Sequence, residues 1–190
     1  MNPANSISLQ PDQAPKHLLL HCCCAPCSGG IIKTLSDAGI EITVLFYNPN
    51  IHPQEEYELR KDHLTRYLNR LHIHFVDSDY NSEAWFKQTA GLENEPQRGR
   101  RCRICFEHRL NYSAEYAREH GFPVFTSSFG ISRWKDMDQV NSAGKKAAEQ
   151  HGVYYWDHNW RKKGGSQLMS EIARQENFYR QKYCGCRYSM

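Results

Sequence analysis

Short apolar runs alternate with amphipathic helical stretches along nearly the whole chain, and this alternation restricts the fold more than any other feature. Runs rich in β-formers cover residues 17–23, 42–47, 73–77, 123–127 and 153–156. Between and after them, helical periodicity covers 29–38, 54–71, 81–90, 103–120, 136–150 and 167–181. Within 54–71, Tyr57, Leu64, Tyr67, Leu68 and Leu71 share one face. Gly39, Gly121 and Gly152 stand where helices should stop. Strand and helix repeated in this way predict an α/β fold, a three-layer parallel sheet flanked by helices. All strands then point one way, and ligand sites gather at their carboxyl ends. Three loops follow strands on that rim. They are the cysteine-rich stretch after the first, Tyr47-Asn48-Pro49-Asn50-Ile51-His52-Pro53 after the second, and Thr126-Ser127-Ser128-Phe129-Gly130 after the fourth.

A chain of 190 residues is room for one ordinary domain. The expected organisation is a flexible N-terminal segment at 1–16 followed by a single α/β domain at 17–190. A polar, arginine-rich excursion near 91–110 carries one cysteine pair, and the tail 182–190 carries another and must fold back to matter. Apolar runs such as 18–20 and 44–46 fall far short of the ~20 residues that span a bilayer. Residues 1–16 carry no apolar core of the signal-peptide kind. A cytoplasmic, membrane-free protein is therefore expected. Lys plus Arg is 24 against 21 for Asp plus Glu, so the net charge of +3 excludes a polybasic tail protein while allowing a local basic face.

The eight cysteines fall into three groups: Cys22, Cys23, Cys24 and Cys27; Cys102 and Cys105; Cys184 and Cys186. In a reducing compartment such clusters are more often metal ligands or redox catalysts than structural disulfides. A cubane iron–sulfur cluster takes four thiolates, and Cys23 and Cys24 with Cys102 and Cys105 can enclose one. Cys27, Cys184 and Cys186 remain, which suggests a second metal site or a redox-active pair beside the first. A single structural zinc, a thioredoxin-type dithiol at Cys102 and Cys105, and a strained disulfide between Cys184 and Cys186 are the competing readings. Cys22 reads equally well as a buried, inert thiol.

With all three groups placed, the sequence resembles the QueH-type epoxyqueuosine reductases. The matching stretches are His21-Cys22-Cys23-Cys24-Ala25-Pro26-Cys27-Ser28, the segment Tyr47 to Pro53 with Glu56-Tyr57 and Arg60, and Cys102-Arg103-Ile104-Cys105 with Arg109-Leu110. Phe178-Tyr179-Arg180-Gln181 and Tyr183-Cys184-Gly185-Cys186 complete the set, in order from residue 21 to near the end. The resemblance implies an adenine-nucleotide α-hydrolase (HUP)-like fold. It also implies the last step of queuosine synthesis, reduction of epoxyqueuosine at the wobble position of tRNA. A 4Fe–4S cluster on Cys23, Cys24, Cys102 and Cys105 is implied next to a mononuclear iron or other divalent metal. Cys184 and Cys186, with position 27, correspond to that second site or to a redox pair. Position 27 is aspartate in some members and cysteine here. Ser132-Arg133-Trp134-Lys135-Asp136 departs from a family loop that usually carries proline after the serine.

Turning an epoxide into an alkene takes two electrons and two protons and releases the oxygen as water. A cluster supplies electrons singly, and a lone metal with an open position polarises the oxygen; the second metal is thus expected to meet it. The electron donor leaves no mark in the sequence. Tyr47 and His52 are the candidate proton donors, and Asn48, Asn50, Ser127 and Ser128 are candidate substrate contacts on the same rim. Arg98, Arg100, Arg101 and Arg103 form a basic patch beside the second cysteine pair, and Arg100 and Arg101 are expected to meet tRNA phosphate. Trp160-Arg161-Lys162-Lys163, preceded by Tyr154, Tyr155 and Trp156, is a second patch of basic and aromatic residues. Two rivals belong to other classes. One is an iron–sulfur tRNA-thiolating ATP pyrophosphatase, for which Ser28-Gly29-Gly30 would be the remnant of a phosphate loop. The other is a non-catalytic zinc-bound RNA module, which would be colourless.

Overall fold

A computed structural model describes residues 15–78 and 80–190. The expected flexibility of 1–16 falls almost wholly outside these residues. Five strands, β1 (His17–His21), β2 (Glu41–Phe46), β3 (His74–Asp77), β4 (Val124–Ser127) and β5 (Tyr154–Tyr155), form one sheet in the order β3-β2-β1-β4-β5. All four pairings are parallel, so the predicted α/β class is observed. The helices are α1 (Ala25–Asp37), α2 (Gln54–Arg70), α3 (Ser82–Thr89), α4 (Arg100–Glu119), α5 (Met137–His151) and α6 (Gly165–Gln175).

Alternation along each strand fills two cores. Leu18, Leu20, Ile42, Val44 and Phe46 point to one face, where α1, α2 and α6 contribute Ile32, Leu35, Leu64, Leu68 and Ile172. Leu19, Leu45 and Phe125 point to the other, where α4 and α5 contribute Phe106, Leu110, Ala114, Val140 and Ala147. The three central strands β1, β2 and β4 are buried on both faces, which is why their runs read as continuously apolar, while the edge strands β3 and β5 are partly exposed.

The order of the strands reverses at β1. Connections from β1 run toward β2 and β3 on one side, while β4 and β5 lie on the other. The crevice beyond the carboxyl ends of β1 and β4 is therefore the topological switch point, where ligands bind in open α/β sheets. His21 at the end of β1 is in register with Ser127 at the end of β4.

Three helix boundaries differ from those expected by about three residues or more, and each bears on where cysteines lie. Helix α1 begins at Ala25 instead of 29, because Pro26 suits the first turn and Cys24 takes the extended N-cap conformation (φ −174°, ψ 157°). Helix α4 begins at Arg100, so Cys102 and Cys105 stand on its first turns and not in a loop. Helix α6 stops at Gln175 instead of 181, and Asn177 takes a left-handed conformation (φ 48°) just beyond it. The chain is thereby released to carry 178–190 back across the sheet edge.

Gly29 and Gly30 belong to α1 and serve helix packing. A Cβ on Gly29 would lie 2.8 Å from Ile172 Cγ2, and one on Gly30 would lie 3.0 Å from the Met169 backbone. The close approach of α6 explains this glycine pair without a phosphate.

Candidate active site

The first thiol group forms where β1 gives way to α1. Cys22 still donates its N–H to Leu45 O at 2.9 Å, and its side chain lies fully buried in the core, where burial raises its pKa. Cys23, Cys24 and Cys27 turn toward one another instead: their Sγ atoms all lie within 4.8 Å. Cys23 Sγ and Cys24 Sγ are 3.8 Å apart. The backbone N–H of Cys23 donates to Ser128 Oγ at 3.2 Å, and that hydroxyl donates on to Cys23 Sγ at 3.6 Å. Gln181 Nε2 donates to Cys24 Sγ at 2.9 Å and approaches Cys27 Sγ at 3.9 Å. Hydrogen bonding from Cys24 and then Cys27 holds the pKa of Cys23 well below the ordinary thiol value. Three sulfurs this close, two buried and that of Cys27 facing the cleft, could hold a metal ion, since soft thiolates suit iron and zinc alike.

The tail group reaches the same place because the loop after β2 holds it. His52 N–H donates to Gly185 O at 2.8 Å, and Tyr183 Oη–H donates back to His52 O. Arg60, on α2 and almost wholly buried, donates to Cys184 O at 3.2 Å and Tyr183 O at 3.1 Å, while Glu56 pairs with it at 2.7 Å. Tyr179 Oη–H caps the same carboxylate at 2.9 Å. Gly185 takes φ 104°, and a Cβ there would lie 2.8 Å from Ile51 Cγ1. Cys186 packs in a small apolar cluster with Cys105 and Trp85, which joins the third thiol group to the second.

All three groups open on one cleft of about 870 Å³, lined by Cys27, Cys102, Cys105, Cys184 and Cys186. Among the described residues its wall carries no carboxylate, but it carries Arg98, Arg101, Arg109, Arg133, Lys135, Arg180 and Lys182. In a chain with 21 acidic residues, that exclusion marks the cleft for an anionic partner. Lys135 Nζ lies 5.4 Å over the Phe129 ring. Burial acts to lower its pKa, but the charges of Cys23, Cys27 and Cys184 outweigh that and raise it.

The predicted rim residues divide. Asn50 is buried on the cleft wall, and its Oδ1 has no hydrogen-bond partner. Asn48 is equally buried but committed: Nδ2 donates to Cys22 O at 2.9 Å and Oδ1 accepts from Arg109 Nη2. Ser127 donates to His21 Nδ1 at 2.8 Å, and His21 Nε2 donates to Tyr47 O at 3.2 Å. Burial, and next the charge of Arg109, push the pKa of His21 down to about 3, so this ring is neutral. Ser127 and Ser128 thus position His21 and Cys23. Tyr47 stacks on Tyr112 at 3.8 Å and bonds His108 Nε2 through its hydroxyl at 2.9 Å. Neither Tyr47 nor His52 lines the cleft; His52 acts through its backbone.

The basic patches need correction. Arg100 is exposed, but Arg101 is buried, and its Nη1 donates to the carbonyls of Leu92, Glu93 and Glu95 at 2.8–2.9 Å. It pins the 92–95 turn and is not a surface phosphate contact. Trp160 and Tyr155 are core residues, so the aromatic surface of the second patch is reduced to exposed Tyr154 and half-buried Trp156. Sequence reasoning missed the charge role of Lys135 and the brace supplied by Gln181. The signal for Lys135 was its place just after the β4 rim loop.

A parallel α/β sheet whose switch point gathers thiols from both ends of the chain, over a cationic cleft, defines a thiol-rich, metal-competent enzyme of anionic substrates. The family model described as epoxyqueuosine reductase QueH matches residues 18–190, and the chain belongs to that family. It is 56% identical over 174 residues to the epoxyqueuosine reductase QueH of Haemophilus influenzae, covering 91% of this chain and 71% of that protein. It is 52% identical over 181 residues to the protein of the same name from Acinetobacter baylyi, covering 95% and 83%. The Dehalococcoides mccartyi relative is 36% identical over 178 residues, with 93% of each chain covered.

Proposed function

We propose that this protein reduces epoxyqueuosine to queuosine at the wobble position of tRNA, as a cytoplasmic enzyme. The observation that carries the reading is the meeting of three separated thiol groups on one cleft that is rich in cations and, among the described residues, free of carboxylates. Epoxide, two electrons and two protons become alkene and water. An external reductant, not identified by the fold, supplies the electrons.

Cys23, Cys24, Cys102 and Cys105 would hold a 4Fe–4S cluster, and Cys27, Cys184 and Cys186 a single iron or other divalent metal. The donor set fits, since seven thiols exceed the four that one cluster or one tetrahedral zinc takes. When bound, the cluster supplies electrons singly at low potential and the lone metal supplies Lewis acidity. The protein's own groups do the rest. Gln181 and Ser128 orient Cys24 and Cys23 through hydrogen bonds to sulfur. Lys135 and Arg109 keep positive charge beside the thiols, favouring their anionic form. Lys135 is also the ammonium on the cleft wall from which a proton can reach a developing alkoxide.

The thiolating rival is disfavoured by the packing of Gly29 and Gly30 against α6. The test is direct. Protein reconstituted anaerobically with iron and sulfide is incubated with a chemical reductant and tRNA carrying epoxyqueuosine, and the nucleosides are weighed by mass spectrometry. Loss of one oxygen atom is expected. Unchanged nucleoside with fully loaded protein would overturn the reading.

A further inference from the structure

Trp134 is 68% exposed, whereas Trp85 and Trp160 are 0% and 2% exposed and Trp156 is half-buried. An indole left in water is unusual, and this one stands on the wall of the thiol cleft. It is not on a loose loop. Arg98 Nε donates to Trp134 O at 3.1 Å and Arg98 Nη2 to Arg133 O at 3.2 Å. Gln139 Nε2 bonds Arg98 O at 2.7 Å, and Trp134 N–H bonds Ser132 Oγ at 3.3 Å. The Arg133 guanidinium lies 4.9 Å from the indole centroid. A braced backbone, a cation on the ring and a cleft rich in cations beside it make a surface suited to an unstacked base with phosphates on either side.

We infer that Trp134 is a stacking platform for a base of the single-stranded anticodon loop, with Arg133 meeting the adjoining phosphate. This inference rests on the tRNA reading above and gives it a binding subsite. Stacking is indifferent to base identity because every base offers a π-face, so the platform holds the loop while the cleft selects the modified nucleotide.

The test uses reconstituted full-length protein and an unmodified anticodon stem–loop RNA, with binding read by fluorescence anisotropy across a salt series. Trp134→Ala should weaken binding by about 5–150-fold, equivalent to ~1–3 kcal/mol of stacking. Trp134→Phe should recover most of the affinity. Neither should change the slope of log K against log salt, since no phosphate contact is lost, whereas Arg133→Ala should reduce it by ~0.7. A fully paired RNA duplex should bind wild type and both Trp134 variants equally.

Trp134→Ala binding the stem–loop as wild type does would overturn the platform. So would unchanged RNA affinity combined with slower reduction by a protein reductant, which would make Trp134 a docking point for that protein instead. Turnover of epoxyqueuosine tRNA by wild type, measured alongside, separates the two levels. If wild type turns over and the variant binds normally, the platform falls alone; if wild type neither binds RNA nor turns over, both fall.

Discussion

The backbone N–H of His52 lies 2.8 Å from the carbonyl of Gly185, fastening the loop after β2 to the glycine between the last two cysteines. Around it, Arg60 holds the carbonyls of Tyr183 and Cys184. Within the stretch from Tyr47 to Arg60, His52, Glu56 and Arg60 thus clamp the tail, while Asn50 faces the cleft.

Gly185→Ala tests the clamp. The added methyl would sit 2.8 Å from Ile51 at a left-handed φ, a strain of about 1–3 kcal/mol that detaching the tail relieves. In metal-free protein, alkylation of Cys186 should quicken by roughly tenfold or more, tracking the added opening free energy. The melting temperature should fall by only a few degrees, because detaching the tail relieves the contact with Ile51 and leaves both faces of the sheet packed. Unchanged alkylation would show that the tail is not held through this glycine.

The buried neutral ring of His21 makes stability fall in acid. Its folded pKa is depressed to about 3 from 6.5, so below about 6.5 the unfolded chain binds a proton that the folded one does not. Stability is therefore lost as pH falls through the window from about 6.5 toward 3. From neutrality to about pH 5 the loss from this ring is about 2 kcal/mol. Urea unfolding at the two pH values measures it, and His21→Gln should flatten the difference.

Adjacent arginines should part company. Arg101→Ala removes three bonds to backbone carbonyls from a buried guanidinium and should cost about 2–4 kcal/mol of folding stability. Arg100→Ala should leave unfolding within about 0.5 kcal/mol, weaken stem–loop RNA binding, and lower its salt slope by ~0.7. Denaturant titration and a salt series on both variants decide the assignment; equal destabilisation would contradict it.

Serine variants divide the thiols by metal. After anaerobic reconstitution, Cys23→Ser and Cys105→Ser should lose the visible iron–sulfur absorbance. Cys184→Ser and Cys186→Ser should keep it and lose only additional bound metal by elemental analysis. Cys22→Ser should change neither, since that sulfur lies in the core away from the cleft. Colour lost in all of the variants would merge the two centres into one.

The sheet was legible because each strand is a compact apolar run and α2, α4 and α5 carry clear helical periodicity. The convergence of cysteines on the switch point was legible because the first group follows β1 directly. Direction within a helix was not: Arg100 and Arg101 differ by about 100° of rotation, which turns one to solvent and the other to three carbonyls, and composition is blind to that. The aromatic patch near 154–160 misled for a similar reason, since Trp160 and Tyr155 supply core area as readily as a stacking face. The end of α6 was overrun because Phe178 continues the apolar spacing, while Asn177 has already left the helix.

Two absent side chains have a long reach. With only hydrogens at positions 29 and 30, α6 can press its backbone onto the opening turns of α1, the helix that begins directly after Cys24. Gln181 then needs little chain to touch Cys24. The brace on the opening sulfurs accordingly rests on a helix contact, and any widening of that contact would be felt as a looser hold of Gln181 on Cys24.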